Sequence, residues 1–160
     1  MKLQKVPGSV CAGCYAMKGR YRFRNVREAL ERRLDALQDP RWVTAMVTLI
    51  TGEKYFRWHD SGDIQGPKHL ENIFEVCKRT PETRHWMPTR ESWVKAFLPE
   101  CPDNLCIRFS VPMVDQKPIE SWPNVSTVIS SDKPWFGLSS KVCPAPTQNN
   151  ECKDCRSCCT

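Results

Sequence analysis

Between residues 55 and 130 short apolar runs alternate with segments of helical period, and this alternation limits the possible folds more than any other property of the chain. Tyr55-Phe56-Arg57-Trp58 reads as a strand ending in the polar turn His59-Asp60-Ser61-Gly62-Asp63. Pro67 opens a helix whose apolar face is Leu70, Ile73, Phe74 and Cys77, and Thr80-Pro81 stops it. The pattern recurs: Arg84–Met87 as a strand, Pro88-Thr89-Arg90-Glu91 as its polar end, and a helix containing Trp93, Ala96, Phe97 and Leu98. Leu105–Ser110 and Val125–Ser130 give two further strands. Strands that alternate with helices pair in parallel through right-handed crossovers. The expected fold is therefore α/β: a truncated, incomplete TIM-like barrel or an open parallel sheet of about four to five strands with flanking helices. A full barrel takes about 250 residues, and this chain of 160 could supply roughly half.

In such a sheet the loops after the strands' carboxyl ends form the functional face. The sequence puts His59, Asp60, Ser61, Asp63, Thr89, Arg90, Ser110 and Ser130 there, with His59 the best acid or base near neutral pH. Each residue taken singly also fits ordinary loop chemistry, with Asp60 and Asp63 as helix caps and Arg90 paired to one of them. As a cluster they fit a ligand or catalytic site.

Ahead of this core, Asn25 and Glu28 resemble a capping pair for a helix over about 26–37, with Val26, Ala29, Leu30, Leu34 and Leu37 at helical spacing. Asp39-Pro40 opens a second helix, whose buried side would be Trp42, Val43, Met46, Val47 and Ile50, and Gly52 ends it.

Residues 141–160 hold five of the ten cysteines. Cys143, Cys152, Cys155 and Cys158 follow a C-x8-C-x2-C-x2-C spacing, which lets a loop turn several thiolates onto one centre. Four thiolates without histidine suit zinc or an iron–sulfur cluster, and three cysteines at two-residue spacing plus a remote one lean towards [4Fe-4S]. Cys11-Ala12-Gly13-Cys14 is a second chelating spacing, either an additional metal pair or a redox pair. With no secretory leader and no apolar run long enough for a bilayer, the chain is expected in the cytoplasm, where cysteines are metal ligands or free core thiols. Cys77, Cys101 and Cys106 are expected in the core.

The net charge of +6 lies entirely in residues 1–35, where nine Lys or Arg face three acids. Arg20, Arg22, Arg24 and Arg27, interleaved with Tyr15, Tyr21 and Phe23, have the composition of a nucleic-acid-binding surface and equally of a solvated loop. One domain spans 1–160, comprising a basic cysteine-containing segment (1–24), an α/β core (25–140) and a cluster-binding tail (141–160).

Gly8–Ala16, Tyr21-Arg22-Phe23, Tyr55–Asp63, His85–Arg90 and the terminal cysteine run resemble the bacteriophage gene product 88 family over nearly the whole chain. The resemblance implies a phage-encoded protein acting in the host cytoplasm, and little about activity. A more distant similarity is to radical S-adenosylmethionine enzymes, which also join a partial barrel to cysteines near the amino terminus. Their C-x3-C-x2-C signature is met here by Cys11 and Cys14 alone. The expectation is an iron–sulfur protein with its cluster on the tail, serving electron transfer, sensing or stability. The alternatives are an enzyme using the strand-end face and a zinc-stapled nucleic-acid-binding module. Host redox proteins or nucleic acid are the expected partners, and a membrane is not.

Overall fold

The computed structural model describes residues 3–130 and 142–159. Four parallel strands, β1 (Tyr55–Arg57), β2 (Arg84–Thr89), β3 (Leu105–Ser110) and β4 (Val125–Ser126), form one open sheet in chain order. The helices are α1 (Arg24–Ala36), α2 (Trp42–Ile50) and α3 (Pro67–Arg79), with a 3-10 helix over Ser92–Glu100 between β2 and β3. Of the two expected forms, the open parallel sheet is the one observed. The boundary expected between core and tail, at 140 and 141, falls outside the described residues.

Strands laid down in one direction through right-handed crossovers place their connections on one face. Phe56, His85, Met87, Thr89, Leu105, Ile107 and Phe109 point to that face, where they meet Ile50, Leu70, Ile73, Phe74, Val76, Cys77 and Val94 in the core. Trp42, Val43, Met46 and Val47 of α2 pack against this core as expected, and α2 and α3 pack against each other.

Three elements differ from expectation. The helix after β2 is 3-10 in type, confined between Glu91 and Cys101 with Pro99 inside it. The last strand keeps only Val125 and Ser126, because its partner β3 ends at Ser110 shortly before Pro112. Beyond it, Ser130 Oγ and N donate to the carboxylate of Asp115 rather than to a strand. Finally, α1 buries none of its residues, and Leu34 is 50% exposed. It starts two residues early, at Arg24, with Phe23 in the cap position, and Asn25 Oδ1 accepts from the neighbouring Val26 N. Asp39 likewise takes the N–H of Arg41 in the turn before α2 and does not cap the helix itself.

Candidate functional site

The cleft at the carboxyl end of the sheet begins where β1 and β2 part. Arg84 N donates to Lys54 O on the β1 side, and His85 N to Asn104 O on the β3 side. By this alternation the N–H of residue 88 would face β1, and residue 88 is proline, so Trp58 N to Trp86 O is the last rung. His59 then turns away with φ +59, in the left-handed region. Proline costs β2 nothing because β1 has already left.

The opened space is a cleft of about 560 Å³. His59, Asp60, Ser61, Asp63, Thr89 and Arg90 all line it, together with Ser110, Cys11 and Cys14. Ser130 lies apart, on Asp115. The roof is the amino-terminal segment, which is pinned along the loop after β3 by Val10 N to Pro112 O (2.9 Å) and Val114 N to Gly8 O (3.0 Å).

The cleft residues divide by their hydrogen bonds. Asp63 is a strut: its Oδ1 accepts from Thr89 Oγ1 (2.7 Å) and Ile64 N (2.8 Å), and its Oδ2 from Arg90 N (2.7 Å). It caps no helix, and it meets Arg90 through the backbone. Asp60 anchors the roof, since Tyr21 donates its hydroxyl to the carboxylate and Tyr15 to the carbonyl oxygen. The bond to Asp60 is the main reason the Tyr21 phenol is pushed up to about 12. The two tyrosines, which also suit a stacking surface, are thus spent on the cleft wall.

His59 is the group left open. Both its ring nitrogens are buried and have no hydrogen-bond partner among the described residues. Its ring stands edge-on to His69 at 5.5 Å. Burial pushes its pKa down, opposed by Asp63 and reinforced by Arg57, so the ring is neutral at pH 7 and able to accept a proton. Arg90 donates from Nη1 to Cys11 Sγ at 2.8 Å, and its buried Nε has no partner among the described residues. Arg57, absent from the sequence-derived set, also lines the cleft, with its guanidinium 4.9 Å from the Trp86 ring.

The tail docks on the opposite face of the sheet from the core. Residues Tyr55, Trp86, Cys106 and Arg108 share that face by strand alternation. Arg108 Nη2 donates to Ser157 O (3.1 Å), and the Arg156 guanidinium lies 4.7 Å from the Tyr55 ring. Cys106, expected in the core, is half-buried on this outer face, 3.9 Å from Arg108 Nη2. The period of β3 carries the signal: Leu105, Ile107 and Phe109 take one parity, Cys106 and Arg108 the other. Cys77, by contrast, is fully buried, and burial pushes its thiol up to about 12.

Within the tail, Cys155 N donates to Cys152 O and Cys159 N to Arg156 O, each closing a tight turn. Burial pushes the Cys158 thiol up, Arg108 opposes this, and the sulfurs of Cys143, Cys152 and Cys155 add to the rise. Among the described residues, no three His, Cys, Asp or Glu side chains stand close enough to hold one metal ion, and this includes Cys11 and Cys14. Arg20, Arg22, Arg24 and Arg27 are exposed on the 3-10 turn 19–22 and α1, and Arg24 pairs with Glu28 at 2.6 Å. None of the four lines the cleft.

No helix among the described residues is long and apolar enough to cross a membrane. The sequence model of one family, described as Gene product 88, matches residues 5–159. Nothing among curated proteins and no solved structure matches the chain, so the similarity to radical S-adenosylmethionine enzymes gains no support.

Proposed function

The chain belongs to the gene product 88 family of phage proteins, and on that premise we propose that it is an enzyme whose small-molecule site is the strand-end cleft. The observation that carries this reading is convergence. Residues as distant in sequence as Cys11 and Arg90, 79 positions apart, meet with His59 in one cavity of a size usual for small ligands. In that cavity His59 serves as general base, Arg90 and Arg57 orient the substrate, and Asp63 and Asp60 position the wall and roof. The sheet itself, wound in one direction only, suits an arc of a barrel. Ten free cysteines suit a reducing compartment such as the cytoplasm of the infected host.

The reading is tested by screening small-molecule fragments against ¹⁵N-labelled protein. Fragments should shift the amides of Ser61, Gly62 and Thr89 together, and His59→Ala should abolish turnover of any substrate so found while leaving the fold intact. A library that perturbs no cleft amide overturns it.

A second reading concerns the tail. The C-x8-C-x2-C-x2-C spacing of Cys143, Cys152, Cys155 and Cys158 favours a metal centre there, [4Fe-4S] in preference to zinc, for electron transfer, sensing or stability. Protein purified without oxygen should be brown and contain iron and sulfide. A colourless zinc protein would replace the cluster by a zinc staple, and a metal-free one would remove the reading.

A further inference from the structure

We infer that the ligand of the cleft carries an oxyanion, a carboxylate or a phosphate, received by the side-on edge of Arg90 with Arg57 as a second cation. This rests on the reading of the cleft as a ligand site and adds the chemical class. The two carboxylates in the wall are already supplied: Asp63 receives three donors, and Asp60 receives Tyr21, with Tyr15 on its carbonyl.

The donors are not matched. Arg90 spends Nη1 on a sulfur, a weak acceptor, and its buried Nε is without a partner among the described residues. A buried charged donor left unsatisfied is costly, and a planar fork with one edge open fits two oxygens of a carboxylate or phosphate. Arg57 lines the same cleft, and none of the salt bridges among the described residues includes it or Arg90. Its guanidinium is held over Trp86, so its direction is set before a ligand arrives. His59, open at both nitrogens, lines the same cleft. A ligand that brings acceptors is the one these walls lack.

The test follows the cleft amides of Ser61, Gly62 and Thr89, together with the Nε–H signal of Arg90 in the parent protein, by ¹H–¹⁵N NMR during titration with inorganic phosphate and, separately, with acetate, each against sodium chloride at equal ionic strength. A saturable shift with one of the two anions, weakened at least about tenfold by Arg90→Lys and less by Arg57→Gln, supports the inference, and the anion that binds names the class. Arg90→Lys keeps the backbone bond to Asp63, and an unchanged melting temperature confirms that it folds. A shift equal in chloride, or one untouched by Arg90→Lys, overturns the inference. Neutral fragments that move the cleft amides while neither anion binds also overturn it and leave the cleft reading standing. Silence to anions and fragments alike removes both.

Discussion

Thr89 Oγ1 lies 2.7 Å from Asp63 Oδ1, so the last residue of β2 holds the loop after β1 by side chains, across the gap where the strand ladder has ended. Thr89 is itself buried, and its hydroxyl also accepts from Glu91 N at 3.1 Å. The cleft wall therefore depends on one carboxylate.

Asp63→Ala should destabilise the protein by about 2–4 kcal/mol, because the buried Thr89 hydroxyl and the Arg90 and Ile64 amides lose a charged acceptor. Asp63→Asn should cost nearly as much despite its shape. One of its two terminal atoms becomes a donor facing a donor. Urea unfolding at pH 7 checks both, and an asparagine variant as stable as the parent would remove the strut role.

Acid should weaken the fold through its buried histidines. Burial pushes His85 and His69 down to about 4 and depresses His59 as well. Above pH 6.5 native and unfolded chains are both neutral at these rings. As pH falls from 6.5 towards 4 the unfolded chain takes up protons first, so stability is lost across that window. His85, with no exposed surface, accounts for roughly 3 kcal/mol. Thr80 donates its hydroxyl to Val76 O, so at the 2.9 Å contact His85 Nε2 must be the donor and Nδ1 the unprotonated nitrogen. His85→Phe should flatten the loss between pH 6.5 and 4, read as chemical-denaturation midpoints at several pH values.

If the tail holds a metal, Cys152→Ser or Cys155→Ser should bleach the protein and lower its melting temperature together, since a metal site contributes about 10 kcal/mol in small zinc domains. Cys77→Ser and Cys101→Ser should leave the colour intact. Iron and sulfide content of each variant is the measurement. If Cys11→Ser or Cys14→Ser bleaches the protein as well, the ligand set includes the roof of the cleft.

Arg108→Met should loosen the tail from the sheet, because it removes the bond to Ser157 O while keeping the apolar stem over β3. Thiol-labelling of the apoprotein reads this directly. Cys155 and Cys158 should react several-fold faster in the variant, with Cys77 unchanged in its core position.

The sequence carried the strand and helix order well because each core element has a clear period: α3 runs over Pro67–Arg79 and β3 over Leu105–Ser110, both as the apolar pattern marks them. The cleft residues were also readable, since polar groups after a parallel strand can only gather at one edge of the sheet. Their roles were not. Whether Asp63 meets a ligand or three protein donors depends on Thr89 and Arg90, which lie 26 and 27 residues on. The apolar spacing of α1 is misleading for a related reason: period says which side of a helix is apolar, and says nothing of whether another element covers it. Pro88 reads in the sequence as the start of the polar end that follows the strand, whereas it lies within β2 at the rung where a missing N–H is harmless.

Every hydrogen-bonded strand pair in this sheet joins neighbours in the chain, β1 to β2 to β3 to β4. Such wiring keeps loop closures short, so a partly made chain can assemble each strand on the one before it without waiting for distant sequence. Among the described residues β4 pairs on one side only, so another strand–helix unit could add there without breaking a described pair. The cleft walls come from β1 to β3 and the amino-terminal segment, so lengthening the sheet at that edge would alter its span and spare its chemistry.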